Sequence, residues 1–139
     1  MDHERATYRP VKAPLSARMG MEMLPPTAEE TTVRMPVQGN TQVLGILHGG
    51  GTAALCETAA SVAANQYAMG LQGGPWVAVG ADISVSHLRP ATGGYVEAVA
   101  SALHLGGKST VHLVKVRDDL GRIVATGTVR NMIVAKRPG

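Results

Sequence analysis

The chain has no phenylalanine and one cysteine, Cys56, and only Trp76, Tyr8, Tyr67 and Tyr95 are aromatic. A single cysteine excludes an internal disulfide and a cysteine-based metal centre. So few aromatic rings cannot build a base-stacking platform for nucleic acid. A net charge of +3 spread over 139 residues is also too mild for a polyanion track, although it suits a small polyanionic ligand. No apolar run reaches the roughly 18 residues needed to cross a bilayer. Met1–Arg5 is charged and lacks the apolar stretch of a signal peptide, so a cytoplasmic protein without a membrane partner is expected. With 45% hydrophobic and 17% charged residues, the chain reads as one globular domain with material for a real core.

Residues 1–18 hold Pro10 and Pro14 among mixed charges and read as an N-terminal arm or a short surface element. The folded domain is expected over 19–139. Met19–Leu24 and Thr31–Val37 read as strands, the second bounded or placed at an edge by Pro36, and 39–47 reads as an irregular loop. Gly49–Met69 is the one long helical stretch, alanine-rich, apolar on most sides and stopped at Gly70, which predicts a buried helix. Afterwards the period changes to two. Val77–Leu88, Tyr95–Leu105, Ser109–Asp118 and Ile123–Val134 read as strands separated by Thr92-Gly93-Gly94, Gly106-Gly107 and Asp118–Gly121. Links this short predict antiparallel hairpins, hence a four-stranded meander. The expected fold class is α+β, an antiparallel sheet wrapped around one long central helix.

The strongest local signal is Gly45-Ile46-Leu47-His48-Gly49-Gly50-Gly51-Thr52. Glycine weakens a helix by about 1 kcal/mol per residue, so three of them at a helix start answer some other demand. One answer is close approach: bare N–H groups and the helix dipole binding an oxyanion or polarising a carbonyl. The other is a tight loop or close helix packing, and glycine alone does not choose between them. Two familiar motifs are excluded. Gly49–Ala54 fits the dinucleotide pattern G-x-G-x-x-A, but strands rather than a βαβ unit follow it. Gly107-Lys108-Ser109-Thr110 mimics the end of a phosphate loop, but Ala102 stands where its first glycine belongs and a strand follows.

Glu57 is the only acid in the long helix. Its apolar neighbours Ala53, Ala54, Ala60 and Val62 predict burial, which raises a carboxyl pKa; the alternative is a solvated stripe. Ser61 lies one turn on, on the same face. Glu57 sits roughly 12 Å along the axis from Gly49, so it cannot serve a carbonyl held at its own helix start. If both act, they come from two subunits related by a two-fold axis.

At these residues the chain resembles the hotdog-fold acyl-CoA thioesterases of the phenylacetate-pathway and 4-hydroxybenzoyl-CoA type. The pieces are Gly45-x-x-His48-Gly49-Gly50, then Glu57, Asp82-Ile83-Ser84-Val85-Ser86-His87-Leu88-Arg89-Pro90, Gly106–Thr110 and Gly121–Gly127, in that order between about 19 and 134. The resemblance implies a hotdog thioesterase domain over 19–139, a homodimer with a continuous sheet and shared sites, and commonly a homotetramer. It implies hydrolysis of an aryl- or medium-chain acyl-CoA, with no separate cofactor, coenzyme A being part of the substrate. Gly49 or Gly50 N–H would polarise the carbonyl, and Glu57 of the partner would be nucleophile or general base. Gln42 would sit near the thioester or water, Ser61 would orient a water, and His48 would shape the loop. Many members carry aspartate on the helix and asparagine before the histidine; the glutamate and glutamine here are more similar to one 4-hydroxybenzoyl-CoA branch.

Arg89, Lys108, Ser109 and Thr110 are the candidates for the phosphates of coenzyme A; ordinary solvated charge is the competing account of each. Cys56 points about 100° away from Glu57 and reads as a small core residue. His87, His104 and His112 stand singly in strands without metal-ligand spacing and read as structural; no metal is expected. Asp82 reads either as touching the site or, as is commoner for a strand acid, as solvated or paired. Trp76 and Tyr67 are placed either in the acyl pocket or packed at the helix end, and Asn65 is a candidate reader of the acyl group. Two rival functions remain. A hotdog hydratase or dehydratase would use a catalytic histidine, often in His-Phe-Pro-Gly, and phenylalanine is absent. A non-catalytic acyl-CoA-binding protein would not need Glu57 and Gln42.

Overall fold

Alternating apolar residues in the β-rich runs and continuous small residues in the alanine-rich run produce two layers. The computed structural model describes residues 7–138. Its elements are β1 (Arg9–Pro10), α1 (Pro14–Arg18), β2 (Glu22–Met23), β3 (Glu30–Pro36), α2 (Gly49–Met69), β4 (Trp76–His87), β5 (Tyr95–Leu105), β6 (Ser109–Arg117) and β7 (Ile123–Ala135). The strands form one antiparallel sheet in the order β1-β2-β3-β5-β6-β7-β4, and α2 lies across it. This is the hotdog arrangement.

The long helix occupies the bounds its composition predicts. His48 caps its start, with extended backbone and a side chain that accepts from Gly50 N–H, and Gly70 ends it. Leu55, Cys56, Ala59, Ala60, Ala63 and Ala64 are fully buried against the sheet. Leu55, Cys56, Ala59 and Ala60 meet Val33, Met35, Val96, Ala98, Ala100, Val114, Val116 and Val129, and Ala64 packs with Ala68 and Ala78 in a second, smaller cluster. Alanine on both the helix and β5 lets the two layers approach closely. Burial of a side chain such as Leu55 contributes about 1.5–3 kcal/mol.

Two expectations change. The last four strands are not a simple meander: β5, β6 and β7 follow one another, but β4 pairs with β7 and β5 pairs with β3. The Thr92-Gly93-Gly94 link therefore belongs to a crossover from one edge of the sheet to its interior, not to a hairpin. Its turn residues carry no information on which strand comes next. The helix is also not enclosed on most sides. Its flank at Ala54, Glu57, Thr58, Ser61, Val62, Asn65 and Gln66 faces a cavity opposite Val11, Ala13, Leu15 and Ser16. The hydrophobic period could not distinguish a helix sandwiched all round from one covered only on its sheet face, because alanine suits both.

The crossover leaves β4 as an edge strand of 12 residues. Val79 and Ile83 on it are 48% and 38% exposed. A long, partly apolar edge is an uncovered template for strand pairing. Its register with β7 places Gly80 opposite Asn131 and His87 opposite Ala125, with an irregularity between Gly80 and Asp82. Next door, β6 places Thr110 opposite Asn131.

Candidate active site

The start of α2 presents its amide groups unequally. Gly51 and Thr52 N–H both turn back to the His48 carbonyl, at 2.9 and 3.1 Å. Gly50 N–H donates to His48 Nδ1 at 2.8 Å. Gly49 N–H has no acceptor among the described residues, and the positive end of the helix dipole lies behind it. Gly50, one of the two candidate carbonyl donors, is thus already engaged, and Gly49 is the one left to offer a proton.

Gly49 lines a cavity of about 400 Å³ together with Gln42, Thr52, His87, Leu88 and Arg89. A Cβ at Gly49 would lie 3.0 Å from His87 Nε2, so the imidazole at the end of β4 occupies the space a side chain would need. Here the glycine requirement comes from packing and from donor exposure together. Gln42 Oε1 accepts from Leu44 N–H, which leaves its amide NH₂ for the cavity.

Glu57 lies elsewhere. It is exposed within the single chain, not buried as its alanine neighbours predict, because the flank it stands on faces the second cavity, of about 480 Å³. Its carboxylate lies against β4: a Cβ at Gly80 would stand 3.1 Å from Glu57 Oε2. Ser61 shares this cavity and donates to Asn131 Oδ1 at 3.1 Å. The structure therefore brings Glu57 and Ser61 together at one end of β4, and Gly49, Gln42, His87 and Arg89 together at the other. Seven residue steps of strand separate Gly80 from His87, roughly 23 Å.

The coenzyme candidates divide in the same way. Arg89 lines the Gly49 cavity, whereas Lys108 ends the β5–β6 turn, its carbonyl accepting from Ile133 N–H, and Ser109 opens β6 opposite Met132, both at the Glu57 end. Thr110 is fully buried and lies beyond the reach of a phosphate in solvent; a strand residue next to an exposed turn can still face the core.

Several side chains are taken up by structure. Asn65 donates to the carbonyls of Ser61 and Ala78 and accepts from Ala78 N–H, so it ties α2 to β4 and has no amide group left to read an acyl substituent. Tyr67 O–H donates to the Leu105 carbonyl and Trp76 Nε1 to the Gln72 carbonyl, and neither lines the Glu57 cavity. Asp82 pairs with Arg130 at 2.8 Å. Burial pushes the Cys56 thiol up to about 12, far from a thiolate nucleophile at neutral pH. His112 is fully buried with Nε2 at 2.8 Å from the Ala28 carbonyl. His87 is the residue that sequence reasoning missed: its contact with Gly49 joins the end of a strand to the start of a helix, and nothing in its local pattern announces that. Among the described residues, no group of three or more His, Cys, Asp or Glu side chains is placed to hold a metal. No helix there is long and apolar enough to cross a membrane.

Residues 44–125 match the profile of the thioesterase superfamily. The chain belongs to that superfamily. It is 36% identical over 118 residues to the proofreading thioesterase EntH of Cronobacter sakazakii, covering 84% of this chain and 78% of that one. It is 35% identical over 101 residues to the 1,4-dihydroxy-2-naphthoyl-CoA hydrolase of Escherichia coli, covering 72% and 71%. The crystal structure of a thioesterase from Haemophilus influenzae is similar with a TM-score of 0.79 at 29% identity, covering 87% of this chain and 82% of that one. The thioesterase superfamily chain described here is accordingly a hotdog-fold thioester hydrolase.

Proposed function

We propose that this superfamily member hydrolyses an acyl-coenzyme A thioester to free acid and coenzyme A, at a site shared between two copies. One copy supplies Gly49 N–H, Gln42 and Arg89; the other supplies Glu57 and Ser61. The observation that carries this reading is the placement of a free amide donor and a carboxylate at opposite ends of one uncovered edge strand. Antiparallel pairing of β4 with a second β4 about a two-fold axis reverses one strand against the other. If Gly80 of one copy stands opposite His87 of the other, the axis passes between Ile83 and Ser84. Each Glu57 then faces the other copy's Gly49, and two equivalent sites form.

The chemistry follows from the parts. Gly49 N–H and the helix dipole stabilise negative charge on the thioester oxygen; removing one such donor typically costs about 10²–10³ in rate. Glu57 either attacks the carbonyl carbon, expelling the coenzyme A thiolate and leaving an acyl anhydride for water to cleave, or takes a proton from a water that attacks directly. In the second route a C–O bond forms, the C–S bond breaks, and the proton held by Glu57 passes to the departing thiolate. Single-turnover reaction in ¹⁸O-water separates the two, because only the anhydride route labels Glu57. The cavity beside Glu57, walled by Val11, Ala13, Leu15, Ala54 and Val62, suits an aryl or medium-chain acyl group, as in the 4-hydroxybenzoyl-CoA type of thioesterase. Arg89 and Lys108 face coenzyme A phosphates from opposite copies. Homotetramer formation would stack two such dimers.

A panel of aryl- and fatty-acyl-CoAs with a thiol-detecting reagent tests the proposal. Free coenzyme A should be released by the wild type and, for Glu57→Ala, be reduced by at least about 10² with coenzyme A binding retained. Undiminished hydrolysis by Glu57→Ala refutes the assignment.

A further inference from the structure

We propose that Asn131 is a positioning residue that acts through Ser61 to fix the polarity of the hydrolytic water; this rests on the reading of Glu57 and Ser61 given above. Asn131 stands in the middle of β7, between Thr110 on β6 and Gly80 on β4, and is 0% exposed. On the helix side its register partner Thr110 and the diagonal His112 are buried polar residues, while Val129, two residues before it on the same strand, is apolar. Its Nδ2 has no hydrogen-bond partner, and neither does Thr110 Oγ1. A buried amide with an unpaired donor costs stability that a valine at this position would not. What the amide does provide is one bond: its Oδ1 accepts the Ser61 hydroxyl proton at 3.1 Å.

That bond sets the direction in which Ser61 can act. With its proton pointed into the sheet, Ser61 offers only lone pairs to the cavity it shares with Glu57. A water resting there donates one hydrogen to Ser61 Oγ and the other to the Glu57 carboxylate. Both its hydrogens are then held, and its own lone pair is turned towards the carbonyl carbon. Without Asn131 the Ser61 hydroxyl is free to donate, and it competes for the water's oxygen or for the carboxylate itself. Gly80 completes the arrangement: the absence of a side chain one strand over gives Glu57 Oε2 its place, 3.1 Å from where a Cβ would stand. Two helix residues one turn apart thus sit over two register-paired strand residues.

The test is a double-mutant cycle on acyl-CoA hydrolysis using Asn131→Leu, Ser61→Ala and the double variant. Asn131→Thr is run in parallel as a strand-compatible substitution in case the leucine is not accommodated. Asn131→Leu or Asn131→Thr should lower kcat about tenfold, the worth of one oriented hydrogen bond, with KM unchanged. In the Ser61→Ala background the same change should cost less than about twofold, because a residue acting through Ser61 has nothing left to orient. Independent, multiplying losses, a change confined to KM, or an unchanged kcat would overturn the proposal. If Ser61→Ala itself hydrolyses at the wild-type rate, the role of Ser61 falls and this proposal with it. If Ser61→Ala is slow but the Asn131 variants are not, only the present inference fails.

Discussion

Gly80 separates the fold from the chemistry, and replacing it with alanine should move the two in opposite directions. Gly80 lies within β4 and is not among the glycines with positive φ, so an L-residue is compatible with its backbone. Restricting the unfolded chain at such a position favours the folded state by about 0.4–1 kcal/mol. The added methyl, however, would lie 3.1 Å from Glu57 Oε2 and 3.4 Å from its Cδ. The carboxylate is the free end of a flexible side chain and can retreat by a few tenths of an ångström, so the fold is spared the clash. The reacting geometry is not. A misplacement of about 1 Å costs on the order of 10² in rate, so roughly 0.3–0.5 Å should lower kcat about four- to tenfold. The assay pairs coenzyme A release, with the acyl-CoA the parent turns over best, with thermal unfolding of the same preparation. A Gly80→Ala variant with wild-type kcat would show that the position of the Glu57 carboxylate against β4 does not matter to the reaction. A variant that loses activity only because it has lost stability would refute the reasoning as well.

Leu55→Ala should destabilise by about 2–5 kcal/mol in urea unfolding with an unchanged slope, since Leu55 is 0% exposed and its alanine neighbours are too small to close the gap. Asp118 gives the β6–β7 turn an acid-sensitive anchor. Burial pushes its carboxyl up, but the Arg122 backbone N–H, the Arg122 guanidinium and the Leu120 N–H more than offset this and hold it below the usual carboxylate range. A depressed folded value adds stability that is fully present above the ordinary value of about 3.9 and disappears as pH falls through the folded one. Asp118→Asn should therefore flatten the wild-type loss of stability below about pH 4, measured by urea unfolding across that range; an unchanged acid limb would contradict it.

How much of this was legible beforehand depended on whether the signal was local. The helix Gly49–Met69 follows from its alanine content and the two glycine borders, and β5 follows from alternation between turn residues. The order of the strands did not follow, because Thr92-Gly93-Gly94 marks a change of direction without naming the destination. At the site, the glycine cluster and the lone Glu57 could be read together, and helix rise alone kept them apart within one chain. The exposure of Glu57 could not be read, since it depends on a cavity bounded by Val11 and Leu15 from the N-terminal segment. The approach of His87 to Gly49 and the hydrogen bond from Ser61 to Asn131 join distant parts of the chain, and each depends on sheet register. Thr110 was misplaced for the same reason: its neighbour in sequence faces a turn, while its own side chain faces the core.

Subunit complementation tests the shared site most directly. Gly49→Pro removes the free amide proton at the first helical position, where the helix backbone accepts proline, although its ring also presses on the His87 imidazole, and Glu57→Ala removes the carboxylate. Each variant alone should be inactive, while refolding or co-expressing the two together should restore about a quarter of wild-type activity. Random pairing makes half the dimers mixed, and each mixed dimer has one intact site of two. A mixture that stays as inactive as its parents, although mixed dimers have formed, would contradict the proposal that the amide and the carboxylate come from different copies.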